Sequence, residues 1–147
     1  MWAYEKMGRW SHMAPKPREI HLEGVHCSFQ IERPTTGVVV LRISGIDIGE
    51  FGDVPMTALH ETIGDSAAVD LFIDAREVRG ASIEVSGDWA GWLNAHKPVL
   101  SSVTMLTGSR FIQITAEFVR RFAALEGSMR ICTEEAAFDQ LLAAAVR

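Results

Sequence analysis

The chain has 147 residues, which is enough for one domain with its own hydrophobic core and too few for two. Its residues are 48% hydrophobic and 22% charged, a balance typical of globular proteins, and the longest unbroken apolar run, residues 141–146, is too short to span a membrane. A net charge of -5 argues against nucleic-acid binding, and Cys27 and Cys132 are too few for a disulfide framework. We therefore expect a cytoplasmic domain with reduced thiols.

Residues 1–20 are predicted to be a flexible N-terminal tail, with the domain in residues 21–147. The tail has no apolar periodicity, and Pro15 and Pro17 prevent a helix from continuing. The sequence Ser11-His12-Met13 matches a cloning scar, so it is open whether residues 1–12 are native. The alternative is that apolar side chains of the tail dock on the domain or on a partner: Trp2, Tyr4, Met7 and Trp10.

Two strands and a helix are predicted next. Residues 25–32 alternate apolar and polar side chains, as in a strand with one face in water, and residues 38–43 form a nearly continuous apolar run typical of a buried strand. The turn residues 34–37 between them favour a hairpin. Asp53 is the predicted N-cap of a helix that Gly64 ends.

A strand-helix unit is predicted after this helix. Residues 69–74 form a short buried strand, and residues 76–85 are a polar loop. Ser86 is then the predicted N-cap of a helix, which ends before Pro98 because a residue that precedes proline avoids helical geometry. One apolar face of this helix is expected from residues at helical spacing: Trp89, Trp92, Leu93 and His96.

Two further strands and two helices complete the chain. Residues 102–106 are a predicted strand, and a helix follows the turn Thr107-Gly108-Ser109. Apolar residues recur in this helix at steps of 3, 4, 4 and 3, the spacing of one face of an amphipathic helix: Phe111, Ile114, Phe118, Phe122 and Leu125. Gly127 ends the helix, residues 129–132 are the last strand, and Thr133 is the predicted N-cap of the final helix.

The order of elements predicts a single α/β domain with five strands and four helices. Strand-helix-strand units with right-handed crossovers require a mostly parallel sheet, and the opening hairpin adds an antiparallel edge. This arrangement resembles the STAS and SpoIIAA-like group, and the resemblance covers residues 25–147. Leu71-Phe72-Ile73-Asp74 matches the apolar strand that ends in an acidic residue in that group, and Ser86-Gly87-Asp88 matches its helix start. The chain departs from the compact Asp-Ser-Ser-Gly motif of the anti-sigma factor antagonists, since residues 79–87 form a longer segment there.

The resemblance implies a non-enzymatic regulatory or protein-interaction domain of a bacterial signalling pathway. Its expected partner is a kinase or an anti-sigma-type regulator, bound through the first helix and residues 76–86. Ser86 and Ser82 are candidates for phosphorylation, because a phosphate at a helix N-terminus gains backbone N–H donors and the positive end of the helix dipole. A capping role alone is the simpler explanation of a serine at this place.

An alternative function, implied by the lipid-carrier-like branch that is related in fold to the Sec14 domain, is the transport or sensing of a small apolar or lipid-like ligand. Trp89, Trp92 and Phe111 are the candidates for the wall of its pocket, between the sheet and the helices. Packing in the core is the simpler explanation of an apolar stripe at helical spacing. The volume of the pocket distinguishes the two functions.

A candidate anion or ligand site lies at the turn into the helix that begins near residue 110. Thr107-Gly108-Ser109-Arg110 combines free N–H groups, a flexible glycine and a cation, and the carboxyl ends of parallel strands would bring Asp74 and Arg76 to the same rim. The turn lacks the Walker lysine and the dinucleotide glycine pattern, and cap geometry explains most such turns. No nucleophile or base accompanies it, so an enzyme is the least supported alternative.

No cofactor and no metal site is predicted. His26 and Cys27 lie on opposite faces of an alternating strand, so they cannot both reach one ion. Asp74, Glu77 and Glu84 have no recognisable nucleophile motif beside them. A homodimer is left open, although no heptad pattern requires one.

Overall fold

The computed structural model describes residues 19–147, and these residues form one mixed sheet of six strands. The strands are β1 (Glu19–Glu23), β2 (Cys27–Thr35), β3 (Val38–Asp47), β4 (Val69–Ala81), β5 (Leu100–Thr107) and β6 (Met129–Cys132). The helices of the same residues are α1 (Val54–Ile63), α2 (Ile83–Ala95), α3 (Arg110–Phe122) and α4 (Glu135–Ala145), with a 3-10 turn at Lys97–Val99. The predicted α/β domain with four helices is confirmed, with one strand more than predicted. No helix in this part of the chain is long and apolar enough to cross a membrane.

The six strands of residues 19–147 lie in the sheet in their chain order. β1 and β2 pair antiparallel, as do β2 and β3, and all later neighbours pair parallel. The predicted mostly parallel sheet with an antiparallel N-terminal hairpin is therefore correct. The parallel strands end at one edge, here called the carboxyl edge, from which the chain enters each of the four helices described.

Helices cover both faces of the sheet. The larger core lies beneath α1, α2 and α3, where Leu41, Leu71 and Leu93 are almost fully buried. The smaller core lies on the opposite face, where Phe138 of α4 packs against Phe72 of β4 at a ring-centroid distance of 5.9 Å. In β4, Leu71 and Ile73 face the larger core and Phe72 between them faces the smaller one, which explains this run of three apolar residues.

β1 begins at Glu19, so the predicted tail overlaps this strand by its last residues, while residues 1–18 lie outside the described part of the chain. The predictions on the tail aromatics and on the scar fall outside it too. β1 was missed because it is an edge strand with charged and polar residues at alternate positions. Only Ile20 and Leu22 pack against the core, and two aliphatic residues are a weak strand signal.

β4 continues from Asp74 to Ala81 as a parallel partner of β3, so the prediction of a polar loop over residues 76–85 is wrong. Its second half buries Val78 while the neighbouring Glu77 and Arg79 stay exposed. Two register shifts in the pairing with β3 interrupt the regular alternation of buried and exposed residues. The sequence pattern of the strand is therefore lost although its backbone pairing continues.

Two predicted helix starts are displaced. α2 begins at Ile83 with Ser82 as its N-cap, so the prediction that Ser86 caps it is wrong. The start moves because β4 occupies the predicted loop and leaves one residue between strand and helix. α4 follows Glu134 at the N-cap position, so the predicted cap at Thr133 is wrong by one residue.

α3 carries apolar residues on two faces. Ile112, Ala116 and Val119 are buried against the sheet. Of the five residues that the sequence singled out, four lie on the outside instead, with exposed fractions of 59% for Phe111, 56% for Ile114, 38% for Phe118 and 65% for Phe122. The fifth, Leu125, is buried and lies beyond the end of α3, so the prediction that the helix continues to Gly127 is wrong. Both sets have helical spacing, so the spacing identifies the helix and leaves open which face packs on the sheet.

Candidate functional site

Ser82 lies at the carboxyl edge, between the end of β4 and the start of α2. Its backbone N–H donates to the Asp47 carbonyl at 3.0 Å, which ties the start of α2 to the end of β3. Its Oγ accepts a hydrogen bond from the Val85 N–H at 3.1 Å, the geometry of a helix N-cap. Because its side chain is also half-buried rather than buried, Ser82 is a hydroxyl held at a helix N-terminus within reach of solvent.

Ser86, the other serine singled out for phosphorylation, lies one turn inside α2 and is only 7% exposed. Its Oγ donates to the Ser82 carbonyl at 3.0 Å, as serines inside helices commonly do. A kinase would reach this hydroxyl only after the first turn of α2 had opened. The geometry therefore favours Ser82 over Ser86 as an acceptor.

Exposed aliphatic side chains lie at the same carboxyl edge as Ser82, near the end of β3 and at the starts of α1 and α2, and we call them the apolar rim: Ile46, Ile48, Val54 and Ile83. Their exposed fractions are 41%, 53%, 48% and 82%. Ile46 pairs with Gly80 next to the end of β4, and Ile48 follows the residue that binds the Ser82 N–H. Single exposed aliphatic residues are common, whereas a group of four at one edge is typical of an interaction surface.

The loop that carries part of the rim is fastened by Glu50. Its Oε1 accepts hydrogen bonds from the backbone N–H groups of His26 at 2.8 Å and Cys27 at 2.9 Å, and its Oε2 accepts one from Val25 at 3.0 Å. Three consecutive N–H groups form a nest that favours a negative charge, and these bonds, that from His26 first, lower the pKa of Glu50. A Cβ on Gly24 would lie 2.6 Å from this carboxyl carbon, so a larger residue there would displace the carboxylate from the nest.

The interior beneath α2 and α3 contains an apolar cavity of about 80 Å³. Its wall includes Trp89, Leu93, Met105 and Ile112. Pockets that enclose small molecules usually measure about 300–1,000 Å³, so this cavity is too small for an acyl chain. Phe111, which was predicted to line a pocket, points its apolar surface elsewhere: it is 59% exposed and does not belong to the wall.

Trp89, Trp92 and His96 form a continuous series of ring contacts along α2. Trp89 stacks on Phe29 of β2 at 6.3 Å between centroids and meets Trp92 edge-on at 6.1 Å. Trp92 stacks on His96 at 3.8 Å, and the Nε2 of His96 lies 2.9 Å from the Nδ1 of His60 on α1. These contacts join α1, α2 and the sheet, so packing accounts for the aromatic residues of α2.

The residues of the predicted anion site are brought together, but Arg76, one of the two cations among them, is already paired. Arg76 and the turn Thr107-Gly108-Ser109-Arg110 line one pocket at the carboxyl edge. The Nε of Arg76 donates to both oxygens of Asp74 at 3.0 and 3.1 Å. Its other nitrogens donate to Glu135 at 2.8 Å and Asp139 at 2.9 Å. The interactions with Asp74 first, and then with Asp139, raise the pKa of Arg76. Three carboxylates around one guanidinium disfavour a further anion.

The remaining residues of this turn have structural explanations. Ser109 caps α3, with its Oγ accepting from the Ile112 N–H at 3.2 Å. A Cβ on Gly108 would lie 2.1 Å from the Arg76 carbonyl oxygen, so glycine permits the close approach of two backbones. The Oγ1 of Thr107 donates to the Cys132 carbonyl at 3.4 Å. Cap geometry and packing therefore explain why these residue types stand here.

The two thiols are poorly suited to nucleophilic chemistry. Burial is the main cause that raises the pKa of Cys27 to about 12, and burial also raises the pKa of Cys132 above its ordinary value. Both thiols are therefore protonated at neutral pH, and the thiolate is the nucleophilic form. Among residues 19–147, no group of three or more His, Cys, Asp or Glu side chains could hold a metal ion.

Two solved structures are similar in fold to this chain. One is an uncharacterized protein of the DUF3478 family with a SpoIIAA-like fold from Shewanella loihica PV-4, at 16% identity over 82% of this chain and 97% of that one, with a TM-score of 0.57. The other is the anti-sigma factor antagonist SpoIIAA in its unphosphorylated form, at 19% identity over 78% and 96%, with a TM-score of 0.53. No known family model and no curated protein matches the sequence. The chain has a SpoIIAA-like fold, as the resemblance in its element order predicted.

The apolar rim and the Glu50 anchor were not found from the sequence. A usable signal for the rim was present, because Ile46 and Ile48 lie in a glycine-rich segment of the sequence, where turns with polar residues are expected. No such signal exists for Glu50, whose three donors lie more than twenty residues away in the chain. That contact depends on the β1–β2 turn and the loop after β3 meeting at the same edge of the sheet.

Proposed function

We propose that this chain is a non-enzymatic regulatory domain that binds a protein partner through the apolar rim and is switched by phosphorylation of Ser82. The observation that carries the proposal is the presence of four exposed aliphatic side chains at the same edge of the sheet as a helix-capping hydroxyl. Apolar groups collected at one edge are a contact surface, because the buried centre of a protein interface is apolar.

The SpoIIAA structure supports a protein partner of this kind. That protein is an anti-sigma factor antagonist, and its description as unphosphorylated implies a phosphorylated form. Carried over to this chain, the partner is a kinase or an anti-sigma-type regulator of a bacterial signalling pathway. The domain then works in the cytoplasm by association alone, and it needs no cofactor.

Phosphorylation of Ser82 would act through charge. A phosphate adds about -1.5 to -2 charges at neutral pH, and the free N–H groups and dipole at the start of α2 stabilise it there. The same charge lies beside Ile48 and Ile83, where it opposes the burial of apolar surface by a partner. Phosphorylation is therefore a release signal, whereas the free hydroxyl is the binding form.

Capture from a lysate of the source organism tests the binding surface, with Ile83→Asp as the disrupting variant. Val146→Asp is the matched control, because Val146 is an exposed aliphatic residue at the far end of α4. A captured protein is then purified, and its affinity for each variant is measured by calorimetry. We expect Ile83→Asp to weaken binding about tenfold or more, as at the centre of an interface, and Val146→Asp to leave it unchanged. Equal binding by both variants would contradict the proposal.

Phosphopeptide mapping tests the switch separately. The chain is incubated with ATP and the same lysate, and the label is expected on Ser82 in the wild type and in Ser86→Ala. Ser82→Ala should carry none. If the label persists in Ser82→Ala and disappears in Ser86→Ala, Ser86 is the phosphorylated residue and the proposed switch at Ser82 is wrong. That result would not contradict partner binding through the apolar rim.

The carrier function has weaker support, because the cavity of about 80 Å³ cannot enclose a lipid tail. Trp89 contributes to its wall and reports on its occupancy. Titration with a fatty acid is expected to leave the tryptophan fluorescence unchanged. A saturable change in fluorescence would instead favour the carrier.

A further inference from the structure

The outer face of α3 is apolar, although its large side chains belong to none of the hydrophobic cores of residues 19–147. Phe111, Ile114, Phe118 and Phe122 follow one another at steps of 3, 4 and 4, and all are exposed. The Phe118 and Phe122 rings lie 4.3 Å apart between centroids and form a continuous surface. We call these four residues the α3 stripe; they lie on a different element from the apolar rim.

The α3 stripe is large enough to be covered. An aromatic side chain buries about 150–250 Å² when it is fully enclosed, so the exposed fractions here leave an apolar surface of roughly 400 Å². The largest apolar patch on a typical soluble monomer is of this size and often has a function. Two copies of the stripe would bury about 800 Å² of apolar surface, which corresponds to a total interface of roughly 1,300 Å², within the range of stable protein complexes.

α2 provides a receptive surface beside the stripe. The Nδ2 of Asn94 donates to the Ala123 carbonyl at 2.9 Å, which fixes the C-terminal ends of α2 and α3 side by side. Gly87 and Gly91 lie on the exposed part of α2, and a Cβ built on either of them would have no neighbour within 4 Å. The open space above the two glycines forms depressions in this face. The four apolar side chains of the α3 stripe form projections beside them.

The charges of the two helices are complementary. α2 contains Glu84 and Asp88 and no cationic residue, whereas α3 contains Arg110, Arg120 and Arg121 with Glu117 as its one acid. Arg120 is engaged within the chain, since its Nη1 donates to the Met129 carbonyl. The exposed Arg110 and Arg121 are therefore available to acidic residues of a facing α2.

A two-fold axis parallel to these helices places α2 of one copy over α3 of the other. Each α3 stripe then meets the glycines of the other copy's α2, each acidic helix faces a basic one, and every contact occurs twice. The face as a whole carries no surplus of cations, so it does not fit an anionic membrane or a nucleic acid. We propose that the α2–α3 face binds a second copy of this chain and forms a two-fold symmetric dimer.

Sedimentation equilibrium of the full chain at about 100 µM, well above the dissociation constants typical of such interfaces, measures the proposed dimer. The wild type and the Val146→Asp control are expected to be dimers. Phe122→Asp, a change at the most exposed residue of the stripe, is expected to weaken the dimer about tenfold or more. Circular dichroism establishes that the variant is folded.

A charge exchange makes the test specific for this arrangement and independent of the stripe. Glu84→Arg with Asp88→Arg in one chain, and Arg110→Glu with Arg121→Glu in another, should each be monomeric, because like charges then face each other. An equimolar mixture should recover the dimer as a heterodimer.

Three results would overturn the proposal. These are a monomeric wild type, a dimer that Phe122→Asp leaves intact, and a mixture of the two charge variants that stays monomeric. If the wild type is monomeric and Phe122→Asp makes residues 1–18 more sensitive to protease, the chain's own N-terminal segment occupies the face instead. The result is separable from the proposed function, since a second rim variant, Ile48→Asp, lies after the end of β3 and outside α2 and α3, and tests partner binding whatever the oligomeric state.

Discussion

Two strand-to-helix turns at the carboxyl edge resemble each other in sequence and differ in their surroundings. Ser82 caps α2 and Ser109 caps α3, with backbone donors at 3.1 and 3.2 Å. Around Ser82 the surface is aliphatic, whereas beside Ser109 the Arg76 guanidinium is held by three carboxylates. A capping serine therefore indicates only that a helix begins, and the neighbouring side chains decide whether the turn can recognise a partner.

The largest effect is expected from Gly108→Ala, which breaks the turn at Ser109. The new Cβ would lie 2.1 Å from the Arg76 carbonyl oxygen, so β4 and the turn must separate. We expect a loss of about 3 kcal/mol in the free energy of unfolding, measured with urea. Gly87→Ala, in the helix that follows Ser82, meets no neighbour within its own chain and should instead stabilise the folded monomer by about 0.5–1 kcal/mol. Equal changes in the free energy of unfolding for the two variants would contradict the close backbone approach at Gly108.

Arg76→Met should have the next largest effect, because it leaves the nearly buried Asp74 without its main partner. Arg42 stays 3.9 Å from that carboxylate and compensates in part. The loss expected is about 2 kcal/mol, below the value for a fully enclosed pair, since a quarter of the Arg76 side chain is exposed. Arg110→Met, an exposed change in the same pocket, should cost less than about 0.5 kcal/mol. A similar loss for both would mean that the ion-pair network does not stabilise this turn.

The elements that sequence predicts well are those whose pattern reflects a single environment. In β2, Cys27, Phe29 and Ile31 alternate with polar residues because one face of that strand is buried and the other is wet. In α3, by contrast, the apolar residues of one face pack on the sheet and those of another face are exposed. The spacing of apolar residues identifies a helix, but it does not show what each side chain contacts. Only the structure shows that the α3 stripe is exposed.

The sequence named Ser82 as one of two candidate serines, but it did not predict that Ser82 caps the helix, for a related reason. Its position depends on β4 ending at Ala81, and this end is set by pairing with β3 through two register shifts. Reading residues 76–85 as a loop moved the helix start to Ser86 and hid the true cap at Ser82. Hydrogen bonds between strands distant in sequence decide such a boundary, and no local propensity contains them.

Substitutions of the two capping serines should separate stability from recognition. Ser82→Ala and Ser109→Ala each remove one cap bond, so each is expected to cost about 1 kcal/mol. Ser82→Asp and Ser109→Asp keep a capping oxygen and add a charge, so both should unfold near the wild-type midpoint. Only Ser82→Asp should abolish binding of the captured partner in calorimetry. Loss of binding in Ser109→Asp as well would locate the contact surface more widely than the rim.

The smallest change is expected for Glu50→Gln, which keeps one oxygen acceptor for the nest beneath the Ser82 loop. Backbone N–H donors, that of His26 first, lower the pKa of Glu50 in the folded chain. A lowered pKa stabilises the fold above the pKa of an unfolded glutamate, about 4.3, and this contribution disappears as the pH falls through the folded value. Urea midpoints should therefore differ between wild type and Glu50→Gln at neutral pH and converge in acid. A difference that stays constant down to acid pH would show that the amide disturbs the loop by its shape, because only the charge of the carboxylate can titrate away.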